Sequence, residues 1–596
     1  MSKKTFIFLL IILCVAVFFR FWQLEQIPPG LYPDVAVNGN NALDALKTGN
    51  FKLFYPDNNG REGLFINLIA FSFWLFGASV WAIKVVPAII GVLTILGLFF
   101  LARVLFSFLS RTKSDFIALA STFILSISFW HVNFSRLGFR AILVPFFLVW
   151  SFYFLFKALN ATRIYESHPN DPNCIPENKS VGGQALNEDQ LIQSTQGGAA
   201  GFERKPAPRE AGQGWSGWLK AKSPPHRLIC FILAGIFFGL GFHTYISYRV
   251  APLILIPVAI FSIIAYWGNF KNFIKEQLWK WAIFLFFVAL TVSPLLLYFA
   301  KNPQDLIGRA GQVSVFSSAS PIKELAITTV KTLGMFNIYG DCNWRHNYPC
   351  QPELYWPIGA LFAIGFFFSV LEIFKPANYR QQRWQLLAAH WTLLFMFFVM
   401  LLPAILSMEG LPHALRSIGT IPSVFIFAGL GLFFIFDGLK NLYLKKNLKL
   451  FTLYLLIFLL LGGSAYAEYN RYFLDWGQRE ETKAEFTQRL VDQGNYLNSL
   501  PDDVIKYVMV NEDGVPVPYP DGIPMPAQTI MFIIQEKPNI KYLLPSQNSQ
   551  ILISPKPTVL LPLRYDGNLF SQLKEKIPDG KIEKINNEFS VFKIGF

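Results

Sequence analysis

The chain has 596 residues, 53% hydrophobic, 16% aromatic and only 15% charged, with 61 Phe. Soluble proteins carry closer to a quarter charged residues, so the composition excludes an ordinary soluble enzyme and indicates a polytopic α-helical membrane protein. The net charge of +14 does not point to nucleic acid, because many Lys and Arg residues gather in short loops between apolar runs, as the positive-inside rule requires.

Met1 to Phe19 carries Lys3 and Lys4 ahead of a long apolar run with no small-x-small cleavage site. It reads as an uncleaved first membrane helix, Thr5 to Trp22, entering from the cytoplasm. A polar outer loop, 23–62, follows, and it is the stretch around which the rest is organised. Gly63 to Gly77 is apolar but short for a span, so it reads as a helix lying at or dipping into the outer interface. Spans are expected at Trp81–Phe106, Phe116–Trp130 and Ala141–Phe156. They resume at Leu228–Phe242, Val250–Tyr266 and Trp281–Ala300. The last group is Leu354–Phe374, Leu386–Leu402, Ser417–Phe436 and Leu450–Ala467, which makes about eleven transmembrane helices. Basic residues mark the inner ends: Arg103, Arg111 and Lys113; Lys271, Lys275 and Lys280; Lys375, Arg380 and Arg383; Lys440, Lys445, Lys446 and Lys449.

The segment 160–225 is rich in Gly, Pro, Ser, Asn, Gln and charges without apolar periodicity, and reads as a disordered cytoplasmic insertion. A second outer loop spans 301–353. With an odd number of spans the tail 468–596 lies outside. It alternates apolar runs (504–510, 528–534, 558–563, 589–594) with Pro, Asp and Gly turns, after a charged helical stretch at 479–500. That pattern is a small extracytoplasmic α/β domain appended to a membrane domain at 1–467, with no catalytic motif of its own. Cys342 and Cys350 share the second outer loop, where an oxidising compartment favours a disulfide over two free thiols. Only His346 lies between them, which argues against a zinc ligand set.

Charged groups beside membrane spans are costly and are functional candidates by default. On the outer side they form clusters: Asp34, Arg61 and Glu62; His131, Arg136 and Arg140; Asp341, Arg345 and His346; Glu409, His413 and Arg416; and a smaller group of His243, Tyr245, Tyr248 and Arg249. Each has a plainer reading. Asp34 follows Pro33 and would cap a helix starting at Val35. Arg61 and Glu62 would form an interfacial ion pair. Arg136 and Arg140 would snorkel to lipid phosphates. Arg345 and His346 would sit in a solvated turn, and His413 and Arg416 would be surface anchors. Together, two acids with several Arg and His on one face fit a general base beside a site for an anionic lipid phosphate, which the planar Arg fork suits.

These segments resemble the GT-C superfamily of polyprenyl-phosphate-sugar glycosyltransferases over roughly residues 5–470. The nearest branch is family 39, with protein O-mannosyltransferases and, as relatives, lipid A aminoarabinose transferases. The resemblance rests on YPDVAVNG and GREGLF bounding the first loop, and on HVNFSRLGFR, GDCNWRHNYP and EGLPHALRS, which look like signatures of a bacterial membrane subgroup. Protein O-mannosyltransferases usually have adjacent acids where this chain has Asp34 followed by Val35. A lone Asp with a second acid 28 residues on matches the aminoarabinose-transferase pattern better, although Gly63 stands where that pattern has Lys.

The resemblance implies an inverting glycosyltransferase that moves a sugar from a polyprenyl-phosphate donor to an acceptor hydroxyl on the outer face. Asp34 would be the general base, and Glu62 would orient the acceptor or hold Arg61. Arg140, Arg345, His346 and Arg416 would stabilise the leaving phosphate. Arg61, His131, Arg136, His243, Tyr245, Asp341 and His413 are secondary candidates. No cofactor or metal is expected. Partners would be the lipid-linked donor, a protein, lipid or glycan acceptor, and membrane lipid. The location would be the plasma (inner) membrane, multi-pass, with the N-terminus cytoplasmic. A lipid-linked-sugar flippase or a non-catalytic cell-envelope assembly protein are the competing readings. A transporter should carry ionisable groups near mid-span and internal repeats, and neither is evident here.

Overall fold

Serine side chains open two of the long helices. Ser2 accepts a hydrogen bond from the Thr5 amide at the start of α1 (Lys3–Phe21), and Ser79 one from Ala82 at the start of α4 (Val80–Leu105). Both satisfy amides that no helical carbonyl reaches. The computed structural model describes residues 1–166, 225–264, 274–306, 314–375, 380–445, 450–517, 522–535, 537–551 and 555–596. The expected insertion lies mostly outside them, at 167–224. Within the described residues α7 (Leu143–Glu166) runs on past its expected end, and α8 (Pro225–Leu240) begins at the expected resumption.

Nine helices among the described residues are long and apolar enough to cross a bilayer, and the protein is a multi-pass membrane protein. Two further expected spans fall short of that length. α5 (Arg111–Ile127) has 17 residues and α8 has 16. α5 nevertheless joins the two ends of the bundle. At one end Asp115 accepts from Thr5 Oγ1 at 2.7 Å and from Arg103 Nε at 2.6 Å. At the other end α5 leads into α6 (Phe129–Phe134), where His131 Nδ1 lies 2.7 Å from the Arg20 guanidinium near the end of α1. Some helices touch backbone to backbone. A Cβ on Gly365 would lie 1.8 Å from the Phe427 carbonyl oxygen, and one on Gly431 1.9 Å from that of Leu361. Small residues at such crossings let helices approach closely, which matters where lipid supplies no hydrophobic drive.

The polar loop 23–62 folds against this bundle. α2 (Pro33–Thr48) begins on a proline whose fixed φ suits a first turn and stops at Gly49, which takes φ 71°. A two-residue hairpin, β1 (Phe54–Tyr55) with β2 (Arg61–Glu62), leads into α3 (Leu64–Phe76). α3 is the short apolar helix expected at the interface, and it leaves Phe71, Trp74, Leu75 and Phe76 exposed.

The tail is a three-layer domain. Its five-stranded sheet runs in the order Ile540–Leu543, Ile505–Met509, Thr558–Pro562, Phe589–Ile594, Lys581–Ile585, with the first three strands parallel. Alternation sends Val508 toward the helices Gln488–Ser499 and Ala527–Ile534, and Tyr507 and Met509 toward the helix Gly567–Lys576. Three of the four apolar runs read from the sequence are strands. The run 528–534 is a helix instead, because it packs on α2 and on Gln488–Ser499 rather than in the sheet.

Candidate functional site

α2 carries the first acid into the site. Asp34 sits in its opening turn, half-buried, and accepts a hydrogen bond from Asn58 Nδ2 at 2.7 Å. It caps nothing: the helix starts one residue before it and the cap position is Tyr32, so the plain capping reading fails. The same helix buries Asn38 and Asn41, whose side-chain oxygens take the Arg61 guanidinium at 2.7 and 2.6 Å. Asp57 lies 3.7 Å from Arg61. Burial, followed by the neighbouring Arg140, lowers the Arg61 pKa to about 10, and the guanidinium remains charged at neutral pH.

Neighbouring residues on a strand face opposite sides. Arg61 therefore turns toward α2, and Glu62 turns away from it. The expected Arg61–Glu62 pair does not form, and Glu62 does not hold Arg61. Glu62 is buried instead between two other arginines, 3.1 Å from Arg140 Nε and 3.5 Å from Arg249. Arg140 also stacks on Tyr245 at 5.3 Å, and Arg249 on Phe299 at 5.3 Å.

Two further polar segments, 343–346 and 409–416, close the far wall. Arg345 stacks on Tyr32, two residues before Asp34, at 4.1 Å, and lies 3.6 Å from Glu485. Burial raises the Tyr32 pKa, and the nearby Asp34 raises it further, so Tyr32 stays a neutral phenol. Arg416 is held by Glu409, through its carboxylate at 2.6 Å and its carbonyl at 2.7 Å, and by the Ser407 hydroxyl. His346 Nδ1 lies 2.9 Å from Asp341 Oδ2, and the His346 and His413 rings stack with centroids 4.8 Å apart. Asp341, His346 and His413 are three groups with donor atoms close enough to hold one metal ion. The Cys342–Cys350 disulfide is formed and closes this loop.

Asp34, Arg61, Glu62, Arg140, Tyr245, Arg345, His346, His413 and Arg416 line one cavity of about 400 Å³. Four sequence candidates, Arg136, His131, His243 and Asp341, do not. Arg136 is fully buried and spends its guanidinium on the Phe19, Trp22, Gln23 and Ile27 carbonyls, which closes the C-terminal end of α1. It neither binds the cavity nor snorkels to lipid. His131 is held by Arg20, and burial and that charge keep its imidazole well below the usual range. His243 turns to the Thr291 carbonyl at 2.8 Å. Asp341 lies behind the wall and acts on it through His346.

Sequence reasoning passed over several contributors. Arg249 was grouped with His243 but not assigned to the site, although it reaches Glu62. Asn58, Asn38, Asn41 and Tyr32 support Asp34 and Arg61. The buried Asn residues were readable in principle, since a helix with Asn at 38, 40 and 41 has a polar face that must find partners.

No family model and no curated protein sequence matches the chain. Its fold matches that of ArnT from Cupriavidus metallidurans, solved bound to undecaprenyl phosphate, with TM-score 0.53 and 12% identity over 99% of this chain and 98% of that one. AglB, the oligosaccharyltransferase of Archaeoglobus fulgidus, aligns over 99% of this chain and 74% of its own at TM-score 0.49 and 12% identity. At near-complete coverage in both chains, this likeness shows that the chain has the GT-C fold seen in ArnT.

Proposed function

We propose that the protein is an inverting glycosyltransferase that moves a sugar from a polyprenyl-phosphate donor to an acceptor hydroxyl. One observation carries this reading: a half-buried carboxylate, Asp34, shares a cavity with Arg140, Arg249, Arg345 and Arg416 at one end of an apolar helix bundle. Such a cavity suits a substrate that is lipid at one end and phosphate at the other. The fold it shares with ArnT, which was solved holding a polyprenyl phosphate, supports the same substrate class.

In this mechanism the acceptor hydroxyl gives its proton to an Asp34 oxygen as its own oxygen attacks the anomeric carbon. The bond from that carbon to the phosphate oxygen breaks, and the electron pair leaves on the phosphate. Arg345, Arg140 and Arg416, already fixed by their own partners, stabilise the growing charge without rearranging during the reaction. Glu62 positions Arg140 and Arg249. The cavity would open to the outer face of the inner membrane, with the N-terminus cytoplasmic, eleven crossings, and the domain from residue 468 outside.

The test is transfer in membranes supplied with radiolabelled polyprenyl-phosphate sugars. Label should pass to a new product in wild type and fall at least ~100-fold in Asp34→Asn. Near-normal transfer by that variant removes Asp34 as the base. Absence of transfer with every donor, in protein that still binds the lipid, favours movement of the lipid over chemistry on it.

A further inference from the structure

The second outer loop is held more rigidly than phosphate binding by Arg345 requires. Its disulfide joins Cys342 to Cys350. The Asp341 amide donates to Glu353 Oε1 at 3.0 Å, and the Asn347 side chain donates to the Gln351 carbonyl at 2.6 Å. Asn133 Nδ2 and Trp476 Nε1, from two other elements, donate to the Arg345 and Trp344 carbonyls. What this frame fixes most tightly is the Asp341 carboxylate. Oδ1 accepts from the Asn343 amide at 2.8 Å, and Oδ2 from the Ala414 amide at 2.9 Å. The second of these bonds ties the loop to the segment that carries His413.

We propose that Asp341, His346 and His413 form a binding site for one divalent transition-metal ion, with the open coordination positions facing the cavity. The donor atoms of the three residues lie within 4.8 Å of one another. His346 Nδ1 and His413 Nδ1 are 2.9 and 3.9 Å from the same oxygen, Asp341 Oδ2. Ligands bound at about 2.0–2.2 Å around a tetrahedral ion stand roughly 3.3–3.5 Å apart, so closure needs side-chain shifts of about 1.5 Å or less. Without an ion, His346 Nδ1 is within hydrogen-bond distance of Asp341 Oδ2, and a bound ion would take that place between them. Two imidazoles and one carboxylate favour Zn²⁺, Co²⁺ or Fe²⁺ over Mg²⁺ or Ca²⁺, which prefer all-oxygen shells. The amides on Asp341 supply the outer hydrogen bonds that orient a ligating carboxylate.

The charge balance says what completes the shell. One carboxylate leaves a divalent ion with net positive charge, and Arg345 and Arg416 line the same cavity. The open positions therefore call for an anion, and on the reading above that anion is the donor phosphate. The ion would then bind the same oxygens as the arginines. The site itself does not depend on that reading, because its ligands are all protein side chains.

The experiment uses full-length protein in detergent, stripped with EDTA and titrated with Co²⁺ and with Zn²⁺ in the absence of any lipid. Wild type should bind one ion per chain, with visible Co²⁺ absorption bands of a low-coordinate site. Affinity should fall at least ~100-fold in His413→Gln and in His346→Gln. These two substitutions leave the amide bonds to Asp341 intact, so folding is preserved, and an unfolding scan verifies it. A stoichiometry of zero, or binding unchanged in both variants, overturns the proposal. If the ion binds as described while no lipid-linked sugar is ever turned over, the metal site stands and the transferase reading falls.

Discussion

Replacing Glu62 by Gln isolates the electrostatic keystone of the cavity. The carboxylate is 2% exposed and faces two guanidinium groups at 3.1 and 3.5 Å, whose side chains are 20% and 27% exposed. At an effective dielectric of about 20, each pair has a gross attraction of about 5 kcal/mol, most of it offset by burying the acid. Removing one partner of a buried pair costs roughly 3–5 kcal/mol, because the remaining charge is left uncompensated. The Gln oxygen still accepts one hydrogen bond from Arg140, which returns about 1 kcal/mol. The expected loss is therefore about 2–4 kcal/mol, read as a lower unfolding temperature in detergent. A double-mutant cycle with Arg249→Gln should give a coupling of at least ~1 kcal/mol, because the two residues are in direct contact. If Glu62→Gln unfolds with wild type and the cycle shows no coupling, Glu62 is not the group that holds these arginines in place.

Two further outcomes follow from the segment 341–353. Changing Cys342 and Cys350 together to Ser should cost about 2–3 kcal/mol, the loop-closure entropy of an eight-residue separation, and should abolish the effect of reductant on unfolding; an unfolding temperature that still responds to reductant refutes the assignment. Glu353, fully buried near Asp341, has its pKa raised well above the ordinary 4.5 by burial first and that neighbouring charge second. The folded state then holds a proton that the unfolded state releases above about pH 4.5, so this group's contribution to stability falls as pH rises from there toward the folded pKa. Glu353→Gln removes that dependence. Its unfolding temperature should gain on wild type as pH rises through this range, and a constant offset at all pH values would refute the assignment.

The membrane architecture was legible because apolar runs and basic turns obey simple rules. Asp34, Glu62 and Arg140, which line the cavity, stand out in the sequence for a related reason: each is a charge in a short segment beside apolar runs. The sequence could not show where each charge finds its partner. Arg136 and Arg140 are four residues apart in one motif, yet Arg136 serves the end of α1 and Arg140 the cavity. His131 looked like an outer-face group because its partner, Arg20, lies inside an apolar helix and drew no notice. Arg61 and Glu62 invited reading as a pair, and only the strand pairing with Phe54 and Tyr55 shows that they diverge.

Asp34 is held by the C-terminal domain as well as by the helix bundle. The domain helix Ala527–Ile534 lies along α2, where the absent Cβ of Gly39 leaves room for the Phe532 ring. Gln528 accepts from Asn40 at 2.7 Å, and Thr529 donates to the Leu31 carbonyl at 2.8 Å, three residues before Asp34. Glu485, just before the domain's first long helix, reaches Arg345. Among the described residues, none from the tail lines the cavity. The tail fixes the helix that presents Asp34 and contacts the arginine stacked on Tyr32, so the placement of the carboxylate relative to its cations depends on both parts of the chain. On the proposed function Asp34 is a base that must meet a hydroxyl within hydrogen-bond reach, and such a base tolerates little drift. The apolar bundle alone leaves α2 exposed on the side that the domain covers.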